Sequence, residues 1–348
     1  MQDSLEALGW SSFFAEAFTP YESEGLIPGR VAVQERGAVV LFTAEGSIKA
    51  ETGGRLLGET GQPVAGDWVA AEVLAGEGRA IVRALLPRRS RFARKEPWLT
   101  EEQVIAANVD TVFLVTDCGP DFKPRRLERY LTAAWDSGAA PVVVLTKSDL
   151  ASDSAAAVEE AGSVAFGIPV HAVSSVTGTG LEELAAYLQP GRTIALLGSS
   201  GVGKSTLANR LLGEDRLTTG DLRRDGRGRH TTTHRELVSL PGGALLLDTP
   251  GMRELQLWAD EGALEETFSE VADLARECRF SDCSHAREPG CAIQVALGNG
   301  SLPQARWESY RKLQGELRAL AIKQDARLKS EERKARRRFA RSRRRTKW

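Results

Sequence analysis

A parallel α/β sheet domain, with a small β-barrel before it and a cysteine–histidine module after it, is the fold class this sequence predicts. Three observations carry it. From Asn108 onward, apolar β-type runs alternate with helical segments, the rhythm of a parallel sheet. Between Gly29 and Leu86, five short β-type runs are separated by glycines. Three of the four cysteines crowd with one histidine into residues 278–291.

The 348 residues, 42% hydrophobic and 27% charged, leave room for more than one core and predict two or three domains. No run of about 18 apolar residues occurs. The N-terminus, MQDSLEALGW, has neither a basic n-region nor a hydrophobic h-region. A soluble, cytoplasmic protein without membrane association is expected. The balance of 46 Lys+Arg against 47 Asp+Glu hides an asymmetry, because Lys329 to Trp348 is dominated by Arg and Lys. Such a polycation usually marks a solvated arm, and attraction to nucleic acid phosphate is its commonest use.

Taking the elements in order, a short helical lead carries Trp10, Phe13, Phe14 and Phe18. The barrel runs are Arg30 to Gln34, Ala38 to Thr43, Ser47 to Glu51, Asp67 to Leu74 and Arg79 to Leu85. Five short strands with glycine-rich turns fit an OB-fold. The basic exit Arg83, Arg88, Arg89, Arg91, Arg94, Lys95 suits oligonucleotide binding; the alternative is a barrel that only packs on its neighbour. The sheet domain then reads as strand Thr111 to Thr116, helix Arg125 to Ser137, strand Pro141 to Thr146, strand Val170 to Val173, helix Leu181 to Leu188, strand Thr193 to Leu197, a helix from Lys204 and strand Ala244 to Leu247, a doubly wound order. Beyond Trp258 the pattern is helical, is broken by the Cys/His cluster, and resumes with Trp307, Tyr310, Leu313, Leu317 and Leu320 on one helix face.

Gly198, Ser199, Ser200, Gly201, Val202, Gly203, Lys204 and Ser205 spell GxxxxGKS between a strand and a helix that continues through Thr206. In that setting backbone amides curl round the β-phosphate at a helix N-terminus. Lys204 is expected on the β- and γ-phosphates and the Ser205 hydroxyl on Mg²⁺. Asp248, Thr249, Pro250 and Gly251 match DxxG at the end of the next strand, with Asp248 acting on Mg²⁺ and the Gly251 amide sensing the γ-phosphate.

The base is read from Thr146, Lys147, Ser148 and Asp149, which resemble [NT]KxD. A carboxylate at Asp149 can accept both N1–H and N2–H of guanine, a donor pair adenine lacks, so an ATPase is disfavoured. The Lys147 stem can cover the base. Thr146 stands where Asn is commoner, a change that bears on the brace to the P-loop rather than on the base contact. Ser174 and Ser175 resemble the SA[KLx] loop that meets the guanine carbonyl, with Ser175 in place of Ala.

These base motifs precede the P-loop, the reverse of the ordinary order, so the domain is circularly permuted. DxxG then runs almost directly into the C-terminal module. Between P-loop and DxxG lies a loop, Thr218 to His234, in the stretch TTGDLRRDGRGRHTTTHREL, unable to build a core and expected to order on nucleotide. One of Thr231, Thr232 or Thr233, with Thr232 favoured, should bind Mg²⁺ and the γ-phosphate. Met252 follows DxxG where many GTPases have a water-orienting glutamine. His230 is the best-placed replacement, with His234 its competitor and an exposed or RNA-contacting role the alternative.

Cys278, Cys283, His285 and Cys291 form Cx4CxHx5C, a donor set suited to one structural, four-coordinate Zn²⁺. A module this small should unfold without its metal.

With TKSD at 146–149, GSSGVGKST at 198–206, GRHTTT at 228–233, DTPG at 248–251 and the four zinc ligands, the chain resembles the ribosome small-subunit-dependent GTPase family of the RsgA, YjeQ/YloQ type over nearly its whole length. The resemblance implies GTP hydrolysis to GDP and phosphate, stimulated by the small ribosomal subunit, and a role in late maturation of that subunit. It also implies contacts of the OB-fold and zinc domain with 16S rRNA, a bacterial cytoplasmic setting, and a catalytic switch-loop histidine, here His230, alongside Lys204 and Thr232. The expected organisation is an N-terminal segment plus OB-fold over 1–93, a circularly permuted α/β P-loop GTPase domain over 94–258, an α-helical zinc-binding domain over 259–325 and a basic tail over 326–348, working as a monomer. The rival readings are an RNA-binding protein whose nucleotide site is a scaffold, and a permuted GTPase acting on another target.

Overall fold

The computed structural model describes residues 5–35, 37–53, 61–95, 102–119, 122–214, 236–248 and 261–324. These pack as two compact units, one holding the barrel and the sheet domain and the other the C-terminal helices. Among the described residues no helix is long and apolar enough to cross a membrane.

In the first unit, a 3-10 turn Leu5–Leu8 and helix α1 (Ser12–Glu22) lead into five strands: β1 (Ile27–Glu35), β2 (Ala38–Thr43), β3 (Gly46–Thr52), β4 (Trp68–Leu74) and β5 (Arg79–Leu85). They follow one another as β1-β2-β3-β5-β4, and β4 returns to pair with β1, which closes the barrel. β3 and β5 run parallel and the other pairs antiparallel, as the OB-fold requires. Alternation along each strand sends Val31, Val39, Leu41, Ala50, Val69, Ala71, Ala80 and Val82 into the barrel. The opposite face of β4 carries Trp68 and Ala70, which pack under Leu8, Phe14 and Phe18 of the aromatic lead. Trp10 meets Trp68 edge-on with ring centres 4.7 Å apart.

A hairpin of β6 (Arg91–Lys95) and β7 (Glu102–Ala107) leaves the barrel. The sheet domain follows with β8 (Thr111–Asp117), α2 (Pro124–Ser137), β9 (Ala140–Thr146), α3 (Ser154–Val164), β10 (Val170–Ala172), β11 (Thr193–Leu197), α4 (Lys204–Leu212), β12 (Glu236–Ser239) and β13 (Leu245–Asp248). Strands β10-β9-β8-β11-β13 are parallel neighbours and β12 adds antiparallel to β13. Successive residues of β8 supply both faces: Val112 and Leu114 join α2 and α3, while Phe113 and Val115 join α4 and Leu184. This is the doubly wound arrangement. The segment expected as a helix from Leu181 to Leu188 is a 3-10 helix, Leu181–Tyr187, entered through a left-handed Gly180. Helix α3, strand β12 and the β6–β7 hairpin were not foreseen; α3 is rich in Ala and Ser and has only a weak apolar face.

The barrel and the sheet domain are one structure. β12 pairs with β1 through Val33 and Glu236, so an 11-stranded sheet runs from β10 to β4. At their junction Arg30 of β1 is fully buried. Its guanidinium donates to Leu8 O, to Asn108 O at 3.1 Å, to Thr193 Oγ1 at 2.7 Å and to Gly66 O at 3.4 Å. Burial pushes its pKa down to about 10, against the raising charges of Asp110 and Asp67. Asn108, at a left-handed φ of 55°, donates through Nδ2 to Gly66 O and accepts the Arg89 amide at Oδ1. Gly66 is required there, because a Cβ at that position would lie 2.1 Å from Ala107 O.

The second unit contains α5 (Glu261–Thr267), α6 (Ser269–Arg276), α7 (Ala292–Asn299) and α8 (Gln304–Gln324) around Leu264, Phe268, Val271, Ile293, Leu302, Trp307, Leu313 and Leu317. Tyr310 packs against this core, so Trp307, Tyr310, Leu313 and Leu317 lie on the helix face read from the sequence, while the side chain of Leu320 lies outside the described residues.

Candidate nucleotide and metal sites

The nucleotide site is built from the carboxyl ends of parallel strands, where an open α/β sheet presents its loops. The P-loop leaves β11 and opens α4 at Lys204. Its first glycine is there for space, since a Cβ on Gly198 would lie 2.2 Å from Val115 O of β8. Lys204 Nζ lies across the loop and donates to Gly198 O at 2.7 Å and to Ser199 O. Ser205 and Thr206 follow in the first turn of α4, Ser205 half-buried and Thr206 exposed. Asp248 ends β13, whose Leu247 is in register with Ala195 of β11, so its carboxylate belongs to the same sheet edge.

The base motif is tied directly to this loop. Thr146, at the end of β9 and buried, places Oγ1 2.6 Å from Val202 O and 3.1 Å from Thr116 O. The brace that the missing Asn put in question is therefore made by a hydroxyl, which reaches a loop carbonyl as an amide side chain would. Lys147 adopts a left-handed φ of 59°, and its Nζ donates to Gly201 O at 2.8 Å and lies 3.4 Å from Asp117 Oδ2. Its stem thus spans from the end of β9 to the P-loop. Ser148 donates its amide to Val173 O, and Asp149 sits exposed in a 3-10 turn, Ser148–Leu150. Its carboxylate accepts no hydrogen bond from the described residues. Ser174 is buried as a loop former, its Oγ accepting the Thr177 amide at 3.1 Å, and Ser175 beside it is half-buried. Cys118, next to these carboxylates, is held protonated with a pKa pushed up to about 11 by burial and by the charges of Asp117 and Asp149.

Folding brings together Thr146, Lys147, Ser148, Asp149, Ser174, Ser175 and the loop 198–206, with Asp248 on the same edge. Thr231, Thr232, Thr233, His230, His234, Thr249, Pro250, Gly251 and Met252 lie outside the described residues. Sequence reading missed Asp117, Arg126 and Tyr130. Arg126 of α2 donates to Ser199 Oγ at 3.1 Å, and burial raises the pKa of Tyr130 against the lowering effect of the Arg126 charge and Ser199. No local signal marks a helix residue 73 positions from its partner. Asp117, closing an apolar strand at the sheet's carboxyl edge, was visible in principle.

In the second unit the side chains of Cys278, Cys283, His285 and Cys291 converge, their ligand atoms all within 4.8 Å of one another. Cys278 Sγ is 3.9 Å from Cys291 Sγ, and His285 Nδ1 is 3.5 Å from each. A tetrahedral Zn²⁺ with Zn–S of about 2.3 Å and Zn–N of about 2.0 Å has S–S edges of about 3.8 Å and S–N edges of about 3.5 Å. The donors fit. His285 reaches the cluster from a left-handed φ of 56°, packed edge-on to Trp307, and its carbonyl accepts from Gln294 Nε2. Burial opposes ionisation of Cys278, but the Ala292 and Ile293 amides and the neighbouring cysteines outweigh it and lower its pKa. Glu288 ties the loop by accepting from Ser284 Oγ and the Ser284, Ala286 and Arg287 amides, and its pKa is held down to about 2 by the Ser284 hydroxyl, its own amide and the Ala286 and Arg287 amides against the cost of burial.

The family model described as RsgA GTPase matches residues 85–258. A small ribosomal subunit biogenesis GTPase RsgA of Opitutus terrae is 54% identical over 328 residues, covering 90% of this chain and 89% of its own. The chain belongs to the RsgA GTPase family. Another RsgA GTPase, from Streptomyces coelicolor, is 45% identical over 337 residues, with 95% of this chain and 91% of its own covered. Among solved structures, YjeQ from Thermotoga maritima matches at a TM-score of 0.65 and 28% identity, over 84% of this chain and 98% of its own. YloQ, described as a circularly permuted GTPase, matches at 0.64 and 23%, over 84% and 96%, which speaks to the fold. As an RsgA-family GTPase, the chain carries its base motif before its P-loop in one permuted sheet domain, between an OB-type barrel and a Cys₃His cluster.

Proposed function

We propose that this chain hydrolyses GTP to GDP and phosphate and acts in the late maturation of the small ribosomal subunit, with hydrolysis stimulated by the subunit. The observation that carries the reading is the bonding of Thr146 and Lys147 to P-loop carbonyls, which joins base and phosphate motifs into one guanine-nucleotide site. The relatives' names supply the ribosomal setting.

In this reading Asp149 pairs with the guanine edge, Lys147 covers its face and the Ser174–Ser175 loop meets its carbonyl. The amides of 198–206 and Lys204 take the phosphates. Ser205, Thr232 and Asp248, all oxygen donors, would hold the Mg²⁺ that accompanies GTP, and the ion would neutralise phosphate charge there. Gly251 would sense the γ-phosphate and His230 would orient the water, in place of the absent glutamine. Cys278, Cys283, His285 and Cys291 would hold one structural Zn²⁺, which fixes their loop against the helices. The working parts are 1–93, 94–258, 259–325 and the basic tail 326–348, with the barrel and zinc module contacting 16S rRNA and the tail supplying positive charge for its phosphates. The protein acts in the cytoplasm as a monomer.

GTP turnover measured with purified small subunits, large subunits and neither tests this. Stimulation by small subunits alone is expected; equal rates in all three would sink the assignment. His230→Ala should cut the stimulated rate by about two to four orders of magnitude while nucleotide affinity stays nearly constant. Loss of affinity instead would make His230 a binding residue.

A further inference from the structure

We propose that Asp117 is a positioning residue of the guanine site, acting through Lys147. The inference rests on Lys147 covering the base. Asp117 is the last residue of β8 and stands in register with Thr146, the residue before Lys147. Its side chain is only 9% exposed. Oδ1 accepts the Gly119 amide at 3.2 Å, and Oδ2 faces Lys147 Nζ at 3.4 Å, the one cation paired with it among the described residues.

A nearly buried carboxylate is costly unless a cation answers it. The turn at Gly119 does not need that charge, since an asparagine oxygen would accept the same amide. The lysine does. Its side chain is 40% exposed, with four rotatable bonds that would otherwise sample solvent. Gly201 O offers it a neutral acceptor on one side and Asp117 a charged one on the other, so the ammonium is pinned and the stem is held between β9 and the P-loop. Asp117 therefore orders the lysine before the base arrives, and the affinity gained is the ordering entropy that binding no longer has to supply. Because the effect is confined to the base end, it applies equally to GDP and GTP.

The test is a fluorescence titration of the full chain with N-methylanthraniloyl GDP and GTP, using Asp117→Asn, Asp117→Ser, Lys147→Met and Asp117→Asn/Lys147→Met. Both Asp117 variants keep a turn-capping oxygen and should keep the parent's melting temperature. Each should weaken both nucleotides about five- to tenfold with the GTP-to-GDP ratio unchanged, the loss of one charged partner. Lys147→Met should weaken binding at least as much, and the double variant should bind no more weakly than Lys147→Met alone. Parent-like affinity of both Asp117 variants beside a weakened Lys147→Met would overturn the proposal and leave Lys147 over the base. Additive losses would overturn it too, by showing that Asp117 acts elsewhere. Parent-like affinity of Lys147→Met would overturn both the proposal and the reading of Lys147.

Discussion

The two units are held together by opposite means. The first closes a barrel, extends it into a doubly wound sheet and locks the joint with a buried arginine whose hydrogen-bonding partners are all uncharged oxygens. Its strands draw on two sheet-face cores and two barrel-side clusters. The second has one core of short helices, and at its edge Cys278, Cys283, His285 and Cys291 turn their donor atoms toward one another. Rigidity in the first unit comes from chain pairing, and in the second the proposed Zn²⁺ would supply it.

Metal removal should break the comparison most sharply. A chelator that strips Zn²⁺ should unfold the second unit, because structural zinc supplies on the order of 10 kcal/mol to such modules. Differential scanning calorimetry should then show the smaller transition vanish and the larger one persist; loss of both together would refute independent means of support. Next in size is Arg30→Met, which leaves the carbonyls of Leu8, Asn108 and Gly66 and the Thr193 hydroxyl without their buried donor. A cost of roughly 3–5 kcal/mol is expected, lowering the larger transition by roughly 10 °C without moving the smaller. Lys204→Ala should abolish measurable GTP binding by equilibrium dialysis while both transitions stay in place, because it removes a phosphate partner and no core contact. The smallest effect belongs to Thr146→Val, which keeps shape and loses the hydroxyl bond to Val202 O. Nucleotide affinity should fall by about three- to tenfold, about 1 kcal/mol, and Thr146→Ser should restore it.

Much of the first unit was legible because it rests on period-two alternation and glycine punctuation, which the sequence displays directly. The barrel strands and β8, β9, β11 and α4 lie where apolar runs put them. Helix α3 escaped because Ala and Ser give it little amphipathic contrast, and β12 because four residues are too few to show a period. The 181–187 segment has helical composition, but a left-handed glycine at its entry and tight packing of Leu184 wind it as 3-10.

By itself the sequence determined the donor types, the order of the motifs and hence the permutation, and the four side chains that converge as a candidate metal site, since these depend on chemistry and short spacing. Tertiary structure alone decided what steadies them. Asp117 meets Lys147, Arg126 meets Ser199, and Arg30 joins barrel to sheet only because strand register and helix packing bring together residues 30, 73 and 163 positions apart. Contacts at that separation leave no mark on local pattern. They arise when the sheet fixes which chain ends are neighbours.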